Sequence, residues 1–213
     1  MEFIHFLCED YSKRGLTVKT DRYVAISGLV ARIAGALKCR SRYGIFERYL
    51  HRNLLWQAFD NQMERIEYPG REVPSWSWMA YTGGIQFMEI PFGAVEWIDN
   101  LRLDDECELA LFADVGKFQK CTTKPDKRRH TILDFGGVKR GWIQYDVEES
   151  EDISKVRCVV IGRYKETENK SHVERYYILV VRPTSVDGQY DRVGSGTVDG
   201  DYVVREELNM RIV

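Results

Sequence analysis

The stretch Pro74-Ser75-Trp76-Ser77-Trp78 lies where the chain changes from helical to strand-like periodicity. Two indoles sit two residues apart behind a proline. In an extended strand, residues i and i+2 share a face, so Trp76 and Trp78 are expected on one side with Ser75 and Ser77 on the other. Pro74 has no N–H to give a ladder, which suits the start or the edge of a strand.

Upstream of this stretch the pattern is helical. Ile26, Leu29, Val30, Ile33, Ala34 and Leu37 fall on one stripe of an α-helix, with Thr20 or Asp21 placed to cap it. Gly28 and Gly35 are seven apart on a common face, where close approach of another element would justify them. Phe46, Leu50 and Leu54 form a second, shorter stripe, and Tyr68-Pro69-Gly70 marks a turn.

Downstream, segments rich in Val, Ile, Tyr and Trp alternate with Gly, Asp and Asn. They predict strands near 75–81, 84–90, 92–103, 107–113, 130–135, 138–147, 156–165, 173–182, 189–198 and 201–212. Gly83-Gly84, Gly136-Gly137 and, most strongly, Asp199-Gly200 read as hairpin turns. Segments 115–130 and 165–172 read as solvated loops. The expected fold is therefore mainly β. An antiparallel β-barrel or sandwich over residues 74–213 carries an N-terminal helical segment packed on it. The boundary falls between a helical part, 1–70, and a barrel-like part, 71–213, forming one compact unit.

Composition narrows the function classes. With 44% hydrophobic and 12% aromatic residues there is ample material for a core. A chain of this size buries roughly 70% of its unfolded surface. The 31 basic and 33 acidic side chains nearly cancel, so there is no global attraction to nucleic acid or to an anionic membrane. No run approaches the ~18–20 apolar residues of a membrane span. The first ten residues carry an apolar run too short and too acidic for a secretion signal. Cysteines 8, 39, 107, 121 and 158 form no CxxC pair, which points to reduced thiols and a cytoplasmic location. Oligomeric state is not legible.

The aromatics Trp76, Trp78, Tyr81, Phe87, Trp97, Trp142 and Tyr145 have two readings. They line a cavity that binds a small apolar molecule, or they fill the core. Arg192, in Tyr190-Asp191-Arg192-Val193-Gly194, is either a structural arginine serving fixed partners or a polar group aimed into a pocket. The basic stretch Lys117, Lys120, Lys124, Lys127, Arg128, Arg129 and His130 carries only Phe118 as an interleaved aromatic. It reads as a solvated loop, and no nucleic-acid partner is expected. His5, His51, His130 and His172 are isolated, and the cysteines lack zinc spacing, so no metal site is expected. No P-loop, nucleophile elbow or dinucleotide fingerprint occurs. Gly194-Ser195-Gly196 reads as backbone geometry, and the acid pairs Asp104-Asp105 and Glu148-Glu149 as solvated turns.

The chain resembles the C-terminal region of fungal heterokaryon-incompatibility (HET) domain proteins. Their PSWSWAS segment is matched by Pro74 through Ala80, with Met79-Ala80 in place of Ala-Ser. Asp21-Arg22 with Ala25-Ile26-Ser27-Gly28-Leu29 is similar to a second family segment. Gly44-Ile45-Phe46 through Leu54-Leu55-Trp56 is similar to a third, with Phe46 in place of a tryptophan. Tyr190 to Gly194 is similar to an element near the family's C-terminus. The HET domain itself has no counterpart here, so the resemblance implies none of that domain's cell-death or nucleotide-related activities.

Stand-alone proteins resembling this region include cofactor-free cyclases of fungal specialised metabolism, among them norbornene-forming Diels–Alderases of sordarin-type terpenoid pathways. The resemblance thus implies an intramolecular [4+2] cyclase holding an apolar, terpenoid substrate, with no cofactor and no metal. Such a reaction needs orientation and one or two donors to polarise a carbonyl. By residue type, the catalytic candidates are Tyr81, Trp97, Tyr145 and Arg192, with Trp76, Trp78, Phe87 and Trp142 as substrate-binding walls. The alternative is a non-catalytic accessory or partner-binding module of a HET-family protein.

Overall fold

The computed structural model describes residues 2–60, 63–147, 152–165 and 174–213. Its N-terminal part holds two helices. In α1 (Glu2–Ser12), Ile4, Cys8 and Ser12 recur every four residues and face inward, while Phe3 and Phe6 point to solvent. In α2 (Arg22–Leu37), Ile26 and Val30 are buried, with Ile33, Ala34 and Leu37 packed beside them and Leu29 largely outside. Lys38 ends α2 in the left-handed conformation, its N–H returning to the carbonyls of Ala34 and Gly35. Asp21 stands at the N-cap without a side-chain bond. Added Cβ atoms on Gly28 and Gly35 would meet nothing within 4 Å, so the expected close approach is absent there. No helix among the described residues is long and apolar enough to cross a membrane.

The Phe46–Leu54 stripe is only partly helical. β1 (Ser41–Arg42) and β2 (Ile45–Phe46) form a hairpin through Tyr43 and Gly44, both at positive φ. A short α3 (Leu50–Asn53) leads into β3 (Trp56–Ala58), which pairs antiparallel with β4 (Ile85–Phe87). Between these two strands lies the Trp76 segment, and it is not a strand. Residues 75–77 turn, and Trp78–Ala80 form a single 3-10 turn.

The remaining strands build one sheet. They are β5 (Val95–Trp97), β6 (Arg102–Leu103), β7 (Leu111–Phe118), β8 (Cys121–Asp126), β9 (Arg129–Asp134), β10 (Lys139–Tyr145), β11 (Arg157–Tyr164), β12 (Arg175–Pro183), β13 (Gln189–Asp199) and β14 (Val203–Ile212). β12 pairs β11, β11 pairs β7, β7 pairs β14, β14 pairs β13, and β13 pairs β12 again. The ladder thus returns to its start and makes a barrel-like ring, mainly antiparallel as expected. The exception is the parallel contact of Gln189 and Tyr190 with Arg211 and Ile212. The later half of β13 pairs β10, which continues to β9 and β8.

Several expected connections differ. The strand expected over 92–103 is two short strands, β5 and β6. Segment 115–130 is not a loop: it holds the end of β7, all of β8 and the start of β9. The exposed Lys124 and Pro125 make β8 an edge strand that resists further pairing. Asp199-Gly200 is not a hairpin either. A 3-10 turn carries the chain from β13 to β14, which crosses to β7. Gly83-Gly84 leads into β4, whose partner β3 lies far upstream. Gly136-Gly137 does close the β9–β10 connection. Glu148-Glu149, His172 and segment 166–172 lie outside the described residues.

Alternate residues of the central strands feed two cores. Val159, Ile161, Leu179 and Val181 face the helices, α3 and the Trp76 segment, whereas Cys158, Val160, Ile178 and Val180 pack among strands. β13 approaches β10 so closely that an added Cβ on Gly196 would lie 2.1 Å from the Trp142 carbonyl oxygen, and one on Gly194 2.4 Å from that of Gln144. The Gly-Ser-Gly run is backbone geometry, as expected. Gly196→Ala is expected to lower unfolding free energy by about 2–3 kcal/mol through overpacking. Gly28→Ala, in open helical space, is expected to raise it by about 1 kcal/mol. Denaturant midpoints check both, and equal small effects would contradict the geometry.

Candidate functional site

Ser75 and Ser77 explain why the tryptophan segment turns. The Ser75 hydroxyl donates to the carbonyl of Val213 and accepts from the Arg192 N–H at 2.7 Å. The Ser77 hydroxyl donates to the Tyr43 carbonyl at 2.7 Å and accepts from the Met79 N–H at 3.0 Å, capping the 3-10 turn. Both serines are fully buried. The Ser77–Met79 bond gives the backbone a local alternative to a ladder, and the other three hydroxyl bonds tie the turn to Tyr43, Arg192 and Val213, so the extended reading fails.

The two indoles are buried with no measurable exposure. The Trp76 ring N–H donates to the Leu109 carbonyl at 3.1 Å, and the Trp76 carbonyl accepts from the Trp56 ring N–H at 3.0 Å. Trp78 sits edge-on to Tyr11, with the Arg22 guanidinium 5.3 Å from its ring. Tyr81 packs on Trp56 with ring centres 5.6 Å apart and donates to the Arg192 carbonyl at 3.4 Å. Burial, followed by the Asp146 charge, raises its phenol well above the ordinary range. Phe87 lies opposite Trp56 across the β3–β4 pair and stacks on His5 at 3.8 Å.

Arg192 is the centre of this group. Its Nε donates to Asp146 Oδ2 at 2.9 Å and its Nη2 to Asp146 Oδ1 at 3.1 Å, a two-point pair with both side chains buried. Nη1 donates to the Leu54 carbonyl at 2.5 Å and Nη2 to the Trp56 carbonyl at 2.6 Å. The guanidinium lies 3.4 Å from the centre of the Trp56 ring. Burial pushes the Asp146 carboxyl above the usual aspartate range, and Arg192 pulls it back. Beside them, Gln57 donates to Ser195 Oγ at 3.3 Å and Gln144 to the Ala58 carbonyl at 2.7 Å. β3 is thereby fastened to β10 and β13 by buried polar side chains.

The other candidates lie elsewhere. Trp97, on β5, packs over Gly162 and beside His51 and Arg52. Trp142 carries the Arg129 guanidinium 3.7 Å above its ring. Tyr145 belongs to the strand-lined core. Trp76, Tyr81, Phe87 and Arg192 therefore meet around Trp56, Trp78 lies in the same core, and Trp97, Trp142 and Tyr145 stand apart. Trp56 and Asp146 were not singled out by sequence reasoning. Trp56 sits in a quoted family element, while Asp146 is masked by the acid run that follows it.

Two concavities are described, and none of the eight candidates lines either. One, about 730 Å³ and open, lies between Lys120, Phe135 and Tyr202. Two acids line it, Asp134 and Asp201; Asp134 is engaged by the Val138 N–H, by Arg140 and by the Gly136 N–H, which hold its carboxyl below the usual range. The other, about 210 Å³, lies between the end of α1, the start of α2 and Gly83. Among the described residues no group of three or more His, Cys, Asp or Glu is gathered for a metal ion. All five cysteines are unpaired, and burial pushes the Cys8 thiol up to about 12, away from a nucleophile's range. No protein-family model, curated protein or solved structure matches the chain.

Two measurements follow from these contacts. Ser75→Ala leaves the buried Arg192 N–H without its partner and is expected to cost about 2 kcal/mol, with faster amide exchange at Val213; an unchanged C-terminus would refute the anchoring role. Burial, aided by the Arg52 charge, lowers His5 to about 4, and burial also lowers His51. The unfolded chain takes up these protons near the ordinary histidine value, which the folded chain resists. Stability is thus complete above that value and falls as pH drops from about 6.5 toward about 5, the His5 share being on the order of 2 kcal/mol. His5→Gln is expected to flatten most of that slope in denaturant titrations.

Proposed function

We propose that the chain is a non-catalytic binding module of the lineage that the Pro74–Trp78 segment resembles, an accessory to a HET-family protein. The observation that carries this reading is the state of Arg192. The arginine offered as a catalytic donor is enclosed by Asp146, Leu54 and Trp56. Its neighbours Trp76 and Tyr81 likewise direct their donors at backbone carbonyls. Groups held this way support architecture, because releasing one to meet a substrate leaves a buried partner unsatisfied.

A second reading, the cofactor-independent [4+2] cyclase, is favoured by a different observation. Arg22 is buried beside the smaller concavity with its Nε unengaged. A desolvated guanidinium of this kind is suited to polarise a carbonyl on an activated alkene. The walls around it include Leu16 and Ile66. On this reading the substrate's reactive end would approach Arg22, and the indoles would act only through the packing behind it.

The two readings separate in one assay. The protein is incubated with a terpenoid-like triene carrying a carbonyl-activated alkene, and the rate and isomer ratio of the [4+2] product are followed. The module reading expects both to equal the protein-free background. Acceleration that is lost in Arg22→Gln would overturn it and establish the cyclase.

A further inference from the structure

Arg22 and Arg192 are both buried, at 4% and 1% exposure, yet only one has a counter-charge. Arg192 is clamped by Asp146. Arg22 donates to the Gly83 carbonyl at 2.9 Å and, at 3.4 Å, to the Ser12 carbonyl. Its Nε has no partner, and no described carboxylate lies within ion-pair distance. The Trp78 ring lies 5.3 Å from the guanidinium, and burial lowers the arginine from its ordinary value. A guanidinium carries five donors, so more than half of its capacity is unused. An uncompensated buried charge is strongly unfavourable, and an anion arriving from outside would relieve that cost.

The surroundings fit that role. Arg22 lines the 210 Å³ concavity together with Lys13, Arg14 and Lys19, and no acid contributes to its wall. Arg14 and Lys19 are paired, but with the exposed Asp10 and Glu64. Lys13 rests over the Phe59 ring at 4.0 Å. The field inside the pocket is therefore positive, and the remaining wall, including Leu16, Ile66 and Gly83, is uncharged. The volume is below that of a drug-sized site and suits the head group of a small metabolite. The planar fork of an arginine matches the two oxygens of a carboxylate or of a phosphate ester.

We propose that this pocket is a binding site for the oxyanion head group of a small organic acid or phosphate ester, with Arg22 as its buried counter-charge and Lys13 and Lys19 as the rim that attracts it. The cyclase reading uses the same pocket and the same Arg22, but oxyanion binding requires no catalysis and is read by titration rather than by product formation. Isothermal titration of the intact protein with sodium benzoate and with inorganic phosphate, at constant ionic strength maintained with chloride, tests it. Saturable 1:1 binding is expected. Preference for benzoate assigns a carboxylate ligand, and preference for phosphate a phosphate ester.

Arg22→Gln is expected to weaken binding about tenfold or more while the protein stays folded, since it removes a charge that the fold leaves unpaired. Should that variant fail to fold, the exposed Lys19→Glu serves instead. It is expected to weaken binding, most strongly at low salt. Absence of saturable binding by the unmodified protein, or binding unchanged by the substitution tested, would overturn the proposal.

Discussion

The buried pair of Arg192 and Asp146 is the interaction on which the arrangement of the segments depends. One guanidinium reaches the end of β10 through Asp146 and the start of β3 through the carbonyls of Leu54 and Trp56. The backbone N–H of the same residue reaches Ser75, which in turn holds Val213. Four stretches far apart in sequence are therefore fixed to one position of β13. Such a pair adds little net stability over a well-packed apolar substitute, because two ions must be desolvated to form it. It supplies direction: an apolar side chain at 192 would pack in many ways, whereas these donors accept one arrangement of carbonyls.

That role accounts for the position of Trp56. With Arg192 against one face, Tyr81 beside it and its N–H on the Trp76 carbonyl, the indole is enclosed by the elements the arginine fixes. Trp56, Trp76, Trp78, Tyr81 and Phe87 thus form the interior of a joint between helices and barrel. The contrast with Arg22 is informative. Two arginines of similar burial sit in the same protein, one with four of its five donors engaged from within and one facing a concavity without an acid. The first supports architecture, and the second is the one we propose to meet an anion from outside.

The barrel was legible where burial imposes a clean pattern. Arg157–Tyr164 and Arg175–Pro183 are legible because their centres are covered on both faces and so carry continuous apolar runs of Val, Ile and Leu. The stripe of α2 survives at a period of 3.6. The Trp76 segment was misleading because Trp-Ser-Trp copies strand alternation while the serine hydroxyls favour turns. In sequence β8 resembles a loop, because the lysines and proline that protect an edge strand are also the residues of loops. Asp199-Gly200 has hairpin chemistry, yet the following strand is drawn to β7 by non-local pairing that no local signal encodes. Asp146 and the solitary state of Arg22 were invisible for a common reason: a partner, present or missing, is defined only in three dimensions.

A double-mutant cycle on Arg192 and Asp146, read by equilibrium unfolding, tests the central claim most directly. Arg192→Met and Asp146→Leu are each expected to cost about 3–5 kcal/mol, since each strands a buried charge. The double substitution is expected to cost much less than the sum of the two, because it strands neither. Independent, additive and small losses would contradict the account, and would mean that the segments are held on the barrel by packing alone.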